Sequence, residues 1–200
     1  MNLPNKLTIF RILLVPIMVI IPFIPINGEI LGIPFTWIII DLIFIIAALT
    51  DKLDGHIARS RNQITTFGKF LDPIADKILV LTAMLMLVEA NRLPAWIPII
   101  VLFREFLVSG YRLVVVGNDG KVIAASIWGK IKTVTQMFAL ILALVDVNTY
   151  GAFIWSKLSG FNMALNICST ILMTISVIAT VFSGYDYLKD GKDLFMKKGD

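Results

Sequence analysis

Apolar residues in this chain come in long blocks, separated by short polar stretches. Six blocks are long enough to be spans: about 8–24, 34–50, 68–88, 95–116, 131–145 and 161–182. The third opens with a polar turn and becomes continuously apolar from Ile78 to Val88. Each can form a helix across a hydrocarbon layer of about 30 Å, several of them by using their polar ends. No period-2 alternation suggests a barrel, so a helical bundle is the expected architecture. The pattern predicts an all-α integral membrane protein, a six-transmembrane-helix bundle in a single domain over 1–200. A short interfacial segment over 2–6 precedes the first span. External loops fall at 26–33, 89–94 and 146–160, a Gly-Asn-Asp-Gly turn at 117–120, and a tail from 185 extends the sixth helix.

Composition agrees with the blocks. The chain is 58% hydrophobic and 16% charged, with a mean hydropathy of +0.85, against about half apolar and a quarter charged in soluble domains. Lys6 and Arg11 before an apolar run resemble a signal peptide. The following Ile21-Pro22-Phe23-Ile24-Pro25 is too bulky for cleavage, so an uncleaved span is expected. Cys168 is the single cysteine, which excludes an intrachain disulfide.

Charge then sets orientation. With the N-terminus in the cytoplasm, every Lys and Arg falls on the cytoplasmic side except Arg92, Lys157 and the intramembrane Arg104. The positive-inside rule therefore places both termini in the cytoplasm. The net charge of +4 does not indicate nucleic acid, because the basic residues flank spans and form no patch interleaved with aromatics. Trp37, Trp96 and Trp155 fall near the external interface, as an aromatic belt would.

Between the second and third spans lies the densest chemistry: Asp51-x2-Asp54-Gly55-x2-Ala58-Arg59-x8-Gly68-x3-Asp72-x3-Asp76. If the second helix continues through Arg59, Asp51 and Asp54 share a face at i, i+3. If the third starts near Gly68, then Gly68, Asp72 and Asp76 form a stripe at i, i+4, i+8. Four carboxylates then converge at the cytoplasmic ends of two antiparallel helices. Their mutual repulsion calls for cations, and hard oxygen ligands suit two divalent ions, Mg²⁺ or Mn²⁺. Such pairs serve phosphoryl transfer. Gly55, Ala58 and Gly68 clear the floor for a nucleotide, and Arg59 can meet a phosphate or brace a carboxylate. His56 fills a variable slot. A soluble helix end would explain any one of these aspartates, but not all four with small residues between them.

This motif resembles the signature of the CDP-alcohol phosphatidyltransferases, with every position filled. The resemblance implies transfer of a phosphatidyl group from CDP-diacylglycerol to an alcohol, with release of CMP. It implies that Asp51, Asp54, Asp72 and Asp76 bind two divalent metals, and that Asp76 is also the general base. Gly55, Ala58, Arg59 and Gly68 would surround the cytidine diphosphate, with Asn5 and Thr8 of Pro4-Asn5-x2-Thr8-x2-Arg11 nearby. A homodimer in the cytoplasmic membrane is also implied.

The second half bears on the acceptor. Arg104-Glu105, Arg112 and Ser126-x2-Gly129-Lys130-x-Lys132-Thr133-x2-Gln136 resemble the branch of that family whose acceptor is glycerol 3-phosphate. A dianionic acceptor needs cations, and Lys77, Arg104, Arg112, Lys130 and Lys132 are the candidates. Lys130 and Lys132 could instead be a positive-inside anchor, and Arg104 a structural partner of Glu105 or of Asp41. Inositol phosphate or serine remain possible acceptors. An intramembrane prenyltransferase or a divalent-cation transporter would also use carboxylates, but neither explains the Gly-x2-Ala-Arg element.

Overall fold

A computed structural model describes residues 2–60, 66–116 and 126–196; within these, the side chains of 3–4, 52–60, 66–67, 69–70, 112–116 and 190–196 lie outside the description. The described chain is helical: α1 (Leu3–Ile20), α2 (Phe35–Ser60), α3 (Thr66–Glu89), α4 (Trp96–Val116), α5 (Ile127–Val145), α6 (Ala152–Trp155) and α7 (Gly160–Met196). Among the described residues, three stretches are long and apolar enough to cross a membrane: Asn5–Phe23, Ile127–Val145 and Gly160–Lys189. The helices α2, α3 and α4, of 26, 24 and 21 residues, have the length but carry the ionisable residues of the candidate site.

Several boundaries differ from the sequence expectation. Residues 3–6 are not a separate interfacial segment but the first turn of α1, where Pro4 is tolerated because a first-turn N–H has no helical partner. The second helix does run unbroken through the first half of the motif to Ser60. The fifth starts at Ile127 rather than 131, capped by Ser126 Oγ, which accepts from Trp128 N at 3.2 Å. Helix α7 continues to Met196; its 37 residues make about 55 Å at 1.5 Å per residue, well beyond a hydrocarbon layer.

Two small elements break the all-helical reading. Strands β1 (Glu29–Ile30) and β2 (Ile33–Pro34) form a hairpin. Its turn residues Leu31 and Gly32 have φ of 53° and 77°, the mirror-image turn that matches strand twist. Helix α6 is a single turn before α7. Both are too short to leave a periodic signal.

Helix α5 packs most extensively on α7, α1 on α2 and α3, α4 on α7, and α2 on α5. The core joins Met18, Ile40, Phe44, Leu79, Met84, Leu87, Ile97, Val101, Leu140, Leu144 and Met173. Fully buried Ala47, Ala75, Ala83 and Ala139 let the helices approach closely, which matters where lipid removes the hydrophobic drive between helices. The outer faces are apolar, with Ile99, Phe103, Phe106 and Phe138 exposed.

One end of the bundle is closed by a buried polar knot. Asp146 accepts from Asn166 Nδ2 and Ser169 Oγ, each at 2.8 Å, and from the Asn148 backbone N–H at 3.0 Å. Arg92 lies over the Trp37 ring, 4.1 Å from its centroid, and donates to the Leu144 carbonyl. Burial pushes the Arg92 guanidinium below the usual arginine range, and Asp146 acts against that. The motif carboxylates lie at the other end.

Candidate functional site

Parallel packing of α1 on α3 builds the first part of the site. Thr8 Oγ1 donates to Asp72 Oδ1 at 2.7 Å. One turn further, Arg11 Nη1 donates to Asp76 Oδ1 at 2.5 Å. The offsets i, i+3 on α1 and i, i+4 on α3 keep both pairs in register. The same Arg11 nitrogen lies 3.0 Å from Asp51 Oδ1 on α2. One fully buried guanidinium thus joins the two halves of the motif, while the carboxylates stay 41% and 49% exposed. Pro73 sits inside α3 and lines the cavity described below; it withholds one N–H from the helix ladder.

Asp51, Asp72 and Asp76 are therefore brought together by α1. Asn5, Thr8 and Gly68 are buried beside them. Asp54, Gly55, Ala58 and Arg59 belong to α2, but their side chains lie outside the described residues. Among the described residues no three His, Cys, Asp or Glu side chains gather into a metal site by themselves. The donors that are described still fit divalent metal: hard carboxylate oxygens from two helices meet at one point, and that point attracts a cation, here Arg11.

A cavity of about 320 Å³ opens next to the aspartates. Asp51 and Asp76 line it together with Lys77, Arg104, Glu105, Lys132, Gln136 and Tyr187, and apolar residues such as Leu79, Val80 and Val101 complete the lining. Glu105 is the centre of its polar part. Its Oε1 accepts from Lys132 Nζ at 2.5 Å and from Arg104 Nη1 at 2.9 Å, and its Oε2 lies 3.7 Å from Lys77 Nζ. Lys77 also donates to Ser109 Oγ at 2.5 Å, and Arg104 Nη2 to Ser183 Oγ at 2.5 Å.

Of the five basic residues proposed for an acceptor phosphate, Lys77, Arg104 and Lys132 line this cavity. Lys130 is exposed and does not. Two residues apart on a helix are about 200° apart around its axis, so Lys130 and Lys132 cannot face the same way. The Arg112 side chain lies outside the described residues. Arg104 is both a cavity residue and a partner of Glu105, and Asp41 is not among its contacts; Asp41 Oδ1 is buried with no hydrogen bond among the described residues.

Sequence reasoning had Arg11 near a nucleotide and Glu105 only as a possible partner of Arg104. The signal for Glu105 was its own cost: a carboxylate inside an apolar span needs more than one neighbour to justify it.

The chain belongs to the CDP-alcohol phosphatidyltransferase family, whose family model matches residues 1–182. It is similar to the CDP-diacylglycerol--glycerol-3-phosphate 3-phosphatidyltransferase of Bacillus subtilis (strain 168), with 41% identity over 191 residues, 93% of this chain and 93% of the relative. The protein of the same name from Haemophilus influenzae is 40% identical over 196 residues, covering 96% and 94%. That from Rickettsia typhi is 37% identical over 199 residues, covering 97% and 99%.

Proposed function

We propose that this chain transfers the phosphatidyl group of CDP-diacylglycerol to sn-glycerol 3-phosphate, giving phosphatidylglycerophosphate and CMP. Full-length similarity to enzymes of that name supports the reaction. The single structural observation that carries it is the cavity in which Asp76 and Asp51 face Lys77, Arg104 and Lys132. Carboxylates suit a metal-bound pyrophosphate, and the three cations suit the phosphate of the acceptor.

In this reading Asp51, Asp54, Asp72 and Asp76 hold two divalent cations, Mg²⁺ or Mn²⁺. When bound, these would neutralise the pyrophosphate and favour attack at its phosphorus. Lys132, Arg104 and Lys77 hold the acceptor phosphate so that its free hydroxyl lies toward Asp76. Asp76 takes the hydroxyl proton as the oxygen bonds to the phosphatidyl phosphorus, and the bond from that phosphorus to CMP breaks. Asn5, Thr8, Gly55, Ala58, Arg59 and Gly68 surround the cytidine diphosphate. The acyl chains stay in lipid, which requires a site at a bilayer surface. We further propose six spans in the cytoplasmic membrane, with the site and both termini facing the cytoplasm, and assembly as a homodimer.

The test is CMP release by the purified protein with CDP-diacylglycerol, Mg²⁺ or Mn²⁺, and a panel of alcohols. Glycerol 3-phosphate is expected to support turnover. Release with inositol phosphate or serine alone would overturn the acceptor, and release with no alcohol of the panel would overturn the reaction.

A further inference from the structure

The cations of the acceptor cavity are not waiting free for a phosphate. Lys132, Arg104 and Lys77 come from three different helices, and each lies within 4 Å of the same carboxylate, that of Glu105. Arg104 is held further by Ser183 on α7 and passes close to Gly129 and Gly184, where a side chain longer than a methyl would meet it. Around Glu105 itself, three cations and one carboxylate leave two positive charges in excess, the complement of a phosphate monoester dianion, while Asp51 and Asp76 of the same cavity face Arg11. Carboxylate and phosphate oxygens accept from the same N–H groups.

We propose that Glu105 is a resident counter-anion of the acceptor pocket: its carboxylate keeps Lys132 and Arg104 aimed at one point while the cavity is empty, and yields them to the acceptor phosphate on binding. It is a positioning residue, since it acts through the two cations and not on the reacting atoms. The inference rests on the acceptor reading given above. Its consequence is kinetic. Glu105 competes with the acceptor phosphate, which weakens binding, and it competes equally with the product phosphate, which speeds release.

Purified full-length protein in lipid nanodiscs carries the test. Lys132→Met comes first: it raises the KM for glycerol 3-phosphate if the cavity binds the acceptor, and an unchanged KM there overturns the acceptor reading itself. Glu105→Gln keeps the size and one acceptor oxygen but removes the charge. It is expected to lower the glycerol 3-phosphate KM about tenfold, lower kcat, and strengthen competitive inhibition by inorganic phosphate about tenfold. The KM for CDP-diacylglycerol is expected to stay the same. Glu105→Asp withdraws the carboxylate by one methylene and should move both acceptor constants the same way, by about threefold. A structural role would instead raise the acceptor KM. An unchanged or raised KM with unchanged phosphate inhibition, in either variant that folds, overturns the proposal.

Discussion

Arg11 has no exposed surface, yet its charge is shared by Asp51 and Asp76 from two other helices. A buried guanidinium is tolerable only with such partners. In the proposed mechanism Asp76 braces Arg11, holds metal and takes the acceptor proton, and Asp76→Asn tests the last of these. The amide keeps the shape and loses the base. Turnover is expected to fall by about 10²–10⁴, the span of general-base contributions, while the protein still inserts and binds CDP-diacylglycerol. Single-turnover CMP release and nucleotide binding read the two effects; turnover at the wild-type rate would remove Asp76 as base. The four aspartates were legible in the sequence because i, i+3 and i, i+4 spacings are local. The Arg11 clamp was not, because its partner Asp76 lies 65 residues away and only α1–α3 packing brings them together.

At the scale of elements, α4 reaches the cavity by sending Arg104 between α5 and α7. A Cβ at Gly129 would lie 3.4 Å from Arg104 Nη2 and 3.5 Å from Ser183 Oγ, and one at Gly184 3.6 Å from Arg104 Cγ. An alanine methyl at 129 fits at ordinary contact distance; a longer side chain must displace the guanidinium. Gly129→Ala should therefore leave the acceptor KM near wild type. Gly129→Leu should raise it about tenfold or more, the worth of one charged hydrogen bond, with the CDP-diacylglycerol KM unchanged. Steady-state kinetics in both substrates check this. The sequence located α4 and α5 from their apolar runs, but it paired Lys130 with Lys132. Helical pitch separates them, and only Lys132 faces Glu105 of α4 and the cavity. The hairpin and α6 left no trace because two- and four-residue elements have no period to detect.

For the whole molecule, the apolar blocks carried most of the helical architecture, and the Lys and Arg distribution carries the proposed orientation. What they could not carry was the polar knot around Asp146, because hydrogen bonds among Asn148, Asn166 and Ser169 follow from how α7 folds back on α5. The proposed orientation has a direct check. In a Cys168→Ala background, Lys130→Cys should react with a membrane-impermeant maleimide only when the cytoplasmic face is open. Lys157→Cys should react in intact cells. The reverse pattern would invert the molecule and place the site outside.

The clamp on α1 also has a bearing on how the protein is made. During synthesis the first helix reaches the bilayer before Asp51 and long before Asp76. Until Asp51 and Asp76 arrive, Arg11 lacks these two counter-charges, and a guanidinium in that position keeps to the headgroup level by extending its aliphatic stem. In the proposed orientation, that need would hold the first helix at a fixed depth with its N-terminus on the side of synthesis. The residue that later joins Asp51 and Asp76 would thus first serve as a topogenic anchor, and the cluster is complete only when α3 packs beside α1.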